Sequence, residues 1–148
     1  MKENSRRKML RGAVAAMTVA GAAEAQEPKL EKKVIRSGPK PAKPPRYSST
    51  IQYGNLIFIS GVGYHEKGDI KVHTEGVLSS IKKQLEAAGS SMNKVLKCSV
   101  FLADLKDYDA MNEVYDGKWG DDPPVRTTVA VAGVPGNSLV EIDVIAYV

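Results

Sequence analysis

The chain reads as one α+β domain, a single mixed β-sheet with two helices packed on one of its faces. Three observations point there. Short strand candidates and two stretches with apolar residues at helical spacing follow one another in the order β-β-α-β-α-β-β. Each helix candidate lies between strand candidates, the arrangement of βαβ-type units. The roughly 100 residues from Tyr47 to Val148 suffice for one core and not for two.

The N-terminus lies outside that fold. Ser5-Arg6-Arg7-Lys8-Met9-Leu10 is an arginine pair leading into apolar residues. The Ala- and Gly-rich run Gly12–Ala23 that follows is too short and too mildly hydrophobic to span a bilayer. Ala23-Glu24-Ala25 supplies the small-x-small pattern that a signal peptidase cuts. Residues 1–25 thus resemble a bacterial twin-arginine signal peptide. That predicts cleavage after Ala25, export of an already folded protein to the periplasm or beyond, and no membrane association after cleavage.

The leader also explains the charge. The whole chain carries +4 and its pI is about 9.1. Residues 1–25 hold five basic residues against two acidic ones, a net +3, which leaves +1 for the rest. A nearly neutral mature protein with no basic stripe is a poor match for nucleic acid.

Residues 26–46 are rich in Lys and Pro and read as a linker, an extended tether or an edge segment. Four prolines within Pro39–Pro45 remove donors and fix φ. Regular structure is expected from Tyr47. Ser49–Gln52 and Leu56–Ser60 are strands joined at Tyr53-Gly54-Asn55. Gly61–His73 reads as a loop or a weak hairpin. Thr74 then caps a helix carrying Val77, Leu78, Ile81, Leu85 and Ala88, ended by Gly89. Val95–Leu102 is a strand. A helix from about Asp107 carries Tyr108, Met111, Val114, Tyr115 and Trp119 on one stripe. After Pro123-Pro124 come the strands Thr127–Ala132 and Leu139–Val148.

Successive apolar positions in Leu56–Ile59 and Val144–Ala146 suit strands covered on both faces. A chain this small gains by hiding the second face in an oligomer. The single cysteine, Cys98, excludes an intramolecular disulfide and sits in an apolar run, as a buried thiol would. His65 and His73, eight apart in what reads as a loop, have no metal-ligand spacing. No metal site is expected.

Two charged residues keep unusual company. Arg126 stands at the entry to a strand, and Glu141 lies inside Leu139–Ala146, where alternation groups it with Asp143 and Ile145. From pattern alone Arg126 is as well explained by a structural ion pair, and Glu141 by a solvent-facing strand position.

A family resemblance runs in order from Tyr47 to the C-terminus. It is carried by Tyr47–Ile51, Gly54–Gly61, Leu85–Ser91 and Val95–Asp104. Its strongest pieces are Met111-Asn112-Glu113-Val114-Tyr115, Pro123–Val129 and Val140–Ala146. These segments resemble the RidA (YjgF, reactive intermediate deaminase) family. The resemblance implies a chorismate-mutase-like fold and a homotrimer with clefts between subunits. It implies hydrolysis of enamine or 2-imino acids to 2-keto acids and ammonia without a cofactor. The substrate would be a small carboxylate-bearing imine, enamine or keto acid. The family's carboxylate-binding arginine falls on Arg126 and its water-orienting glutamate on Glu141. Its pocket residues fall on Tyr47, Ser60, Gly61, Asn112 and Thr128. Val62 stands where the family usually has Gln, and Ser49 where Gln is frequent.

Those residue types fit the chemistry. A guanidinium fork binds a planar carboxylate at two points and so fixes the adjacent C=N carbon. A carboxylate on a neighbouring strand then holds a water and takes its proton. A non-catalytic binding protein that keeps the arginine anchor is the alternative, and a ribonuclease fits the charge poorly.

Overall fold

The computed structural model describes residues 30–148; the expected signal peptide and the first residues of the linker lie outside them. Six strands form one sheet in the spatial order β1-β2-β3-β6-β4-β5. They are β1 Lys32–Ile35, β2 Thr50–Tyr53, β3 Leu56–Val62, β4 Val95–Leu102, β5 Val125–Ala130 and β6 Val140–Tyr147. The helices are α1 Ile70–Ala87 and α2 Tyr108–Tyr115. Only β4 and β5 run parallel; the other neighbours are antiparallel.

Both helices lie on one face, as the sequence predicts. Along β6, Val140, Ile142, Val144 and Ala146 are buried while Glu141, Asp143 and Ile145 are half-buried. The buried set packs with Val77, Leu78, Ile81 and Leu85 of α1 and with Met111 and Tyr115 of α2. This single core draws its stability from about 25 cal/mol per Å² of apolar surface removed from water. Among the described residues nothing covers the other face. Phe58 of β3 sits directly across from Ile145 of β6 and is 38% exposed. Coverage of the helix-side face is met within the chain, and the other face is the one expected to be hidden in an oligomer.

Three local expectations are sharpened or corrected. Of the two readings of the linker, extended tether or edge segment, Lys32–Ile35 takes the second, as the regular strand β1 paired with β2 along its free edge. Those backbone groups need partners, and Lys32–Ile35 itself holds no proline to interrupt a ladder. Helix α1 begins at Ile70, not after Thr74, because the Asp69 carboxylate caps it by accepting from the Val72 amide at 3.0 Å. Thr74 is buried one turn inside, its hydroxyl donating to the Ile70 carbonyl at 2.7 Å. His73 is therefore a buried helix residue rather than part of a loop. Its Nδ1 accepts from the Leu139 amide at 3.1 Å and so ties α1 to the start of β6.

Trp119 does not extend the α2 stripe. The helix ends at Tyr115, and Trp119 is buried in the following turn with its ring 5.0 Å from that of Tyr115. Gly117 and Gly120 flank it with φ of +71° and +85°, a conformation that side chains with a Cβ rarely adopt.

Candidate functional site

The parallel pairing of β4 with β5 decides where Arg126 points. Arg126 pairs with Cys98, a core residue, so its side chain leaves the sheet on the helix side. There α2 receives it. Arg126 Nη1 donates to the Asn112 Oδ1 at 2.8 Å, and Nη2 donates to the Tyr108 hydroxyl at 3.2 Å. The guanidinium carbon lies 4.6 Å from the centre of the Tyr115 ring and 5.7 Å from that of Tyr108. Both are distances at which an aromatic face attracts a cation.

Among the described residues no carboxylate pairs with Arg126, whereas Lys71 pairs with Glu113, Lys82 with Glu86, Lys106 with Asp104 and Lys118 with Glu75. Within the described residues of one chain, the ion-pair explanation of Arg126 therefore finds no partner. A cation held by neutral dipoles keeps most of its attraction for an incoming anion.

The floor beneath it is buried, with Cys98 and Tyr115 both in the core. Burial pushes the Cys98 thiol up to about 11, with Tyr115 and Arg126 opposing the shift. Burial also raises Tyr115, whose hydroxyl makes no hydrogen bond of ordinary geometry. Thr128, two residues along β5 on the same face, has a buried hydroxyl that likewise finds no partner among the described residues. Arg126, Asn112 and Thr128 therefore share one corner. Tyr108 and Tyr115 belong to it too, although their spacing alone marks only an apolar stripe.

Glu141 is elsewhere. It pairs with Phe101 on the face away from the helices. The sequence reading put its carboxylate on the strand neighbouring Arg126, and this is corrected. Strand β4 lies between the two, and the side chains leave opposite faces.

Glu141 is associated with Gly61. A Cβ at Gly61 would lie 2.3 Å from Glu141 Oε1, so the carboxylate occupies the space a larger residue would take. Ser60 precedes it at the β3 irregularity, and its amide donates to the Ser49 carbonyl at 3.0 Å. Tyr47, two residues before Ser49, is 70% exposed. The candidate residues thus form two groups, Arg126 with Asn112 and Thr128, and Glu141 with Gly61 and Ser60. An open groove of about 570 Å³ between α1 and Gly117–Gly120 includes neither Arg126 nor Glu141.

The profile of the family described as endoribonuclease L-PSP matches residues 37–148, three quarters of the chain and both halves of this arrangement. The chain belongs to this family, the RidA/YjgF family.

Among its relatives, a RutC family protein of Pyrococcus abyssi is 42% identical over 127 residues, covering 80% of this chain and 98% of that protein. A protein of Dermatophagoides farinae named 2-iminobutanoate/2-iminopropanoate deaminase is 32% identical, covering 74% of this chain and 90% of its own length. The crystal structure of RidA from an Antarctic Psychrobacter species superposes with a TM-score of 0.70 at 35% identity. It covers 78% of this chain and 99% of that one. The RidA/YjgF fold, one mixed sheet bearing two helices, is the fold seen here.

Proposed function

We propose that the protein is a cofactor-independent hydrolase that converts 2-imino acids, or their enamine tautomers, to 2-keto acids and ammonia. The observation that carries this reading is the Arg126 guanidinium, an unneutralised cation presented by two neutral partners and an aromatic face. A 2-imino acid offers the carboxylate such a group binds, and the deaminase name of the mite relative supports the substrate class.

The chemistry then needs a water beside the C=N carbon and a base for its proton. Glu141 supplies the carboxylate. Water adds to the imine carbon, its proton passes to Glu141, and the resulting carbinolamine collapses to the keto acid as protonated nitrogen leaves as ammonia. The intrinsic lability of the imine leaves the protein mainly the task of orientation.

Because Arg126 and Glu141 leave opposite faces of one sheet, a site using both is built between two chains. The protein is accordingly a homotrimer whose uncovered sheet faces, with Phe58 and Ile145, meet around the assembly axis. Export by the twin-arginine leader is part of the same proposal, and the mature protein begins at Gln26.

The test is keto-acid release from freshly generated 2-imino acids by purified protein starting at Gln26. Acceleration over the spontaneous rate is the expected result. Keto-acid binding with no acceleration would replace the enzyme with a carboxylate-binding protein.

A further inference from the structure

The hydrogen bonds around Arg126 fix more than its own position. A guanidinium has donors and no acceptor. The Tyr108 oxygen, 3.2 Å from Nη2, is therefore the acceptor in that contact. Having accepted, the phenol still carries its O–H proton, and no acceptor among the described residues takes it. Tyr108 opens α2 and is 37% exposed, so this proton meets solvent beside the guanidinium rather than the core.

We infer that Tyr108 is a further ligand-binding residue, whose hydroxyl donates to the same carboxylate that Arg126 holds. The inference rests on the proposed reading of Arg126 as the anchor. An anion against the open edge of the guanidinium lies within reach of a hydroxyl already touching that guanidinium. The polarity of the contact leaves the hydroxyl only a donor role towards that anion.

A purely structural tyrosine would be built differently. The ring alone supplies the cation contact at 5.7 Å, and phenylalanine would supply it equally. Among the described residues the hydroxyl bonds nothing but Arg126, in a partly exposed position where such a bond adds little to folding. The guanidinium is in any case held by Asn112 and lies over Tyr115.

The experiment compares wild type, Tyr108→Phe and Arg126→Ala for binding of 2-oxobutanoate and of its amide, which has the same shape without the carboxylate. Tyr108→Phe is expected to weaken the keto acid roughly tenfold or more, as loss of a hydrogen bond to a charged group does. Amide binding should stay within about twofold, and the Arg126 Nε–Hε signal of the free protein should not move. Keto-acid affinity unchanged in Tyr108→Phe but lost in Arg126→Ala would overturn the role of Tyr108 and leave the anchor standing. Equal weakening of acid and amide, or a displaced Arg126 signal, would also overturn it in favour of packing or positioning. Unchanged affinity in Arg126→Ala would overturn the anchor, and Tyr108 with it.

Discussion

Arg126 and Asn112 are joined by a 2.8 Å hydrogen bond in which a full cation is answered by a neutral carboxamide. Asn112→Asp keeps the shape and substitutes a carboxylate, which would neutralise the guanidinium from within. Keto-acid affinity is expected to fall by at least tenfold, since the site would already hold its anion. Calorimetric titration measures this; undiminished binding in Asn112→Asp would show that the ligand does not use Arg126.

Glu141 and Gly61 form the second couple. Glu141→Gln should retain keto-acid binding and lose deamination by about 10²–10⁴-fold, the range for a removed general base. Gly61→Ala should displace the carboxylate, because the new Cβ would sit 2.3 Å from Oε1, and so lower the rate while Arg126-dependent binding persists. Equal rates in wild type and Glu141→Gln would remove Glu141 from the chemistry.

The uncovered sheet face predicts the assembly. Wild type should sediment as a trimer at micromolar concentration. Ile145→Glu, which sets a charge opposite Phe58 on that face, should give monomers with unchanged far-ultraviolet dichroism. A monodisperse wild-type monomer would rule out a site shared between chains.

Alkaline stability should follow Cys98. Its folded value of about 11 exceeds the ordinary thiol value of 9.0, so between them the native state holds a proton that the unfolded chain releases. The associated stability is complete below pH 9 and disappears as pH rises through about 11, with Tyr115, also raised by burial, acting in the same direction. Thermal midpoints across pH 8–11.5 should fall in that window. Iodoacetamide should label Cys98 at pH 8 only in urea, and equally fast labelling of the native protein would contradict a buried thiol.

Export should depend on the arginine pair. Replacing Arg6 and Arg7 with Lys is expected to hold the protein in the cytoplasm, and the wild-type exported form should begin at Gln26. Mature protein in the periplasm from the double variant would refute the twin-arginine route.

Residue pattern and covalent geometry are enough to set several elements of this fold. Alternation along Val140–Ala146 separated Ile142 and Val144 from Glu141 and Asp143, and the burial of each follows it. Spacing placed Val77, Ile81 and Leu85 on the core side of α1, because a helix repeats every 3.6 residues whatever surrounds it. Where local pattern failed or left a choice open, a partner distant in the chain had the stronger claim. Lys32–Ile35 became a strand because β2 offered an edge, and His73 was buried because Leu139 supplied a donor from 66 residues away.

Tertiary structure alone decided the site. Arg126 and Glu141 are 15 residues apart in the chain and were read as neighbours, yet strand order and side-chain parity send them to opposite faces of the sheet. Parity within a strand can be counted from residues, but which strand lies between two others depends on how the whole chain buries its core. Tyr108 shows the same limit from the other side. Its apolar ring made it look like core, and only the approach of β5 to α2 placed its hydroxyl on Arg126.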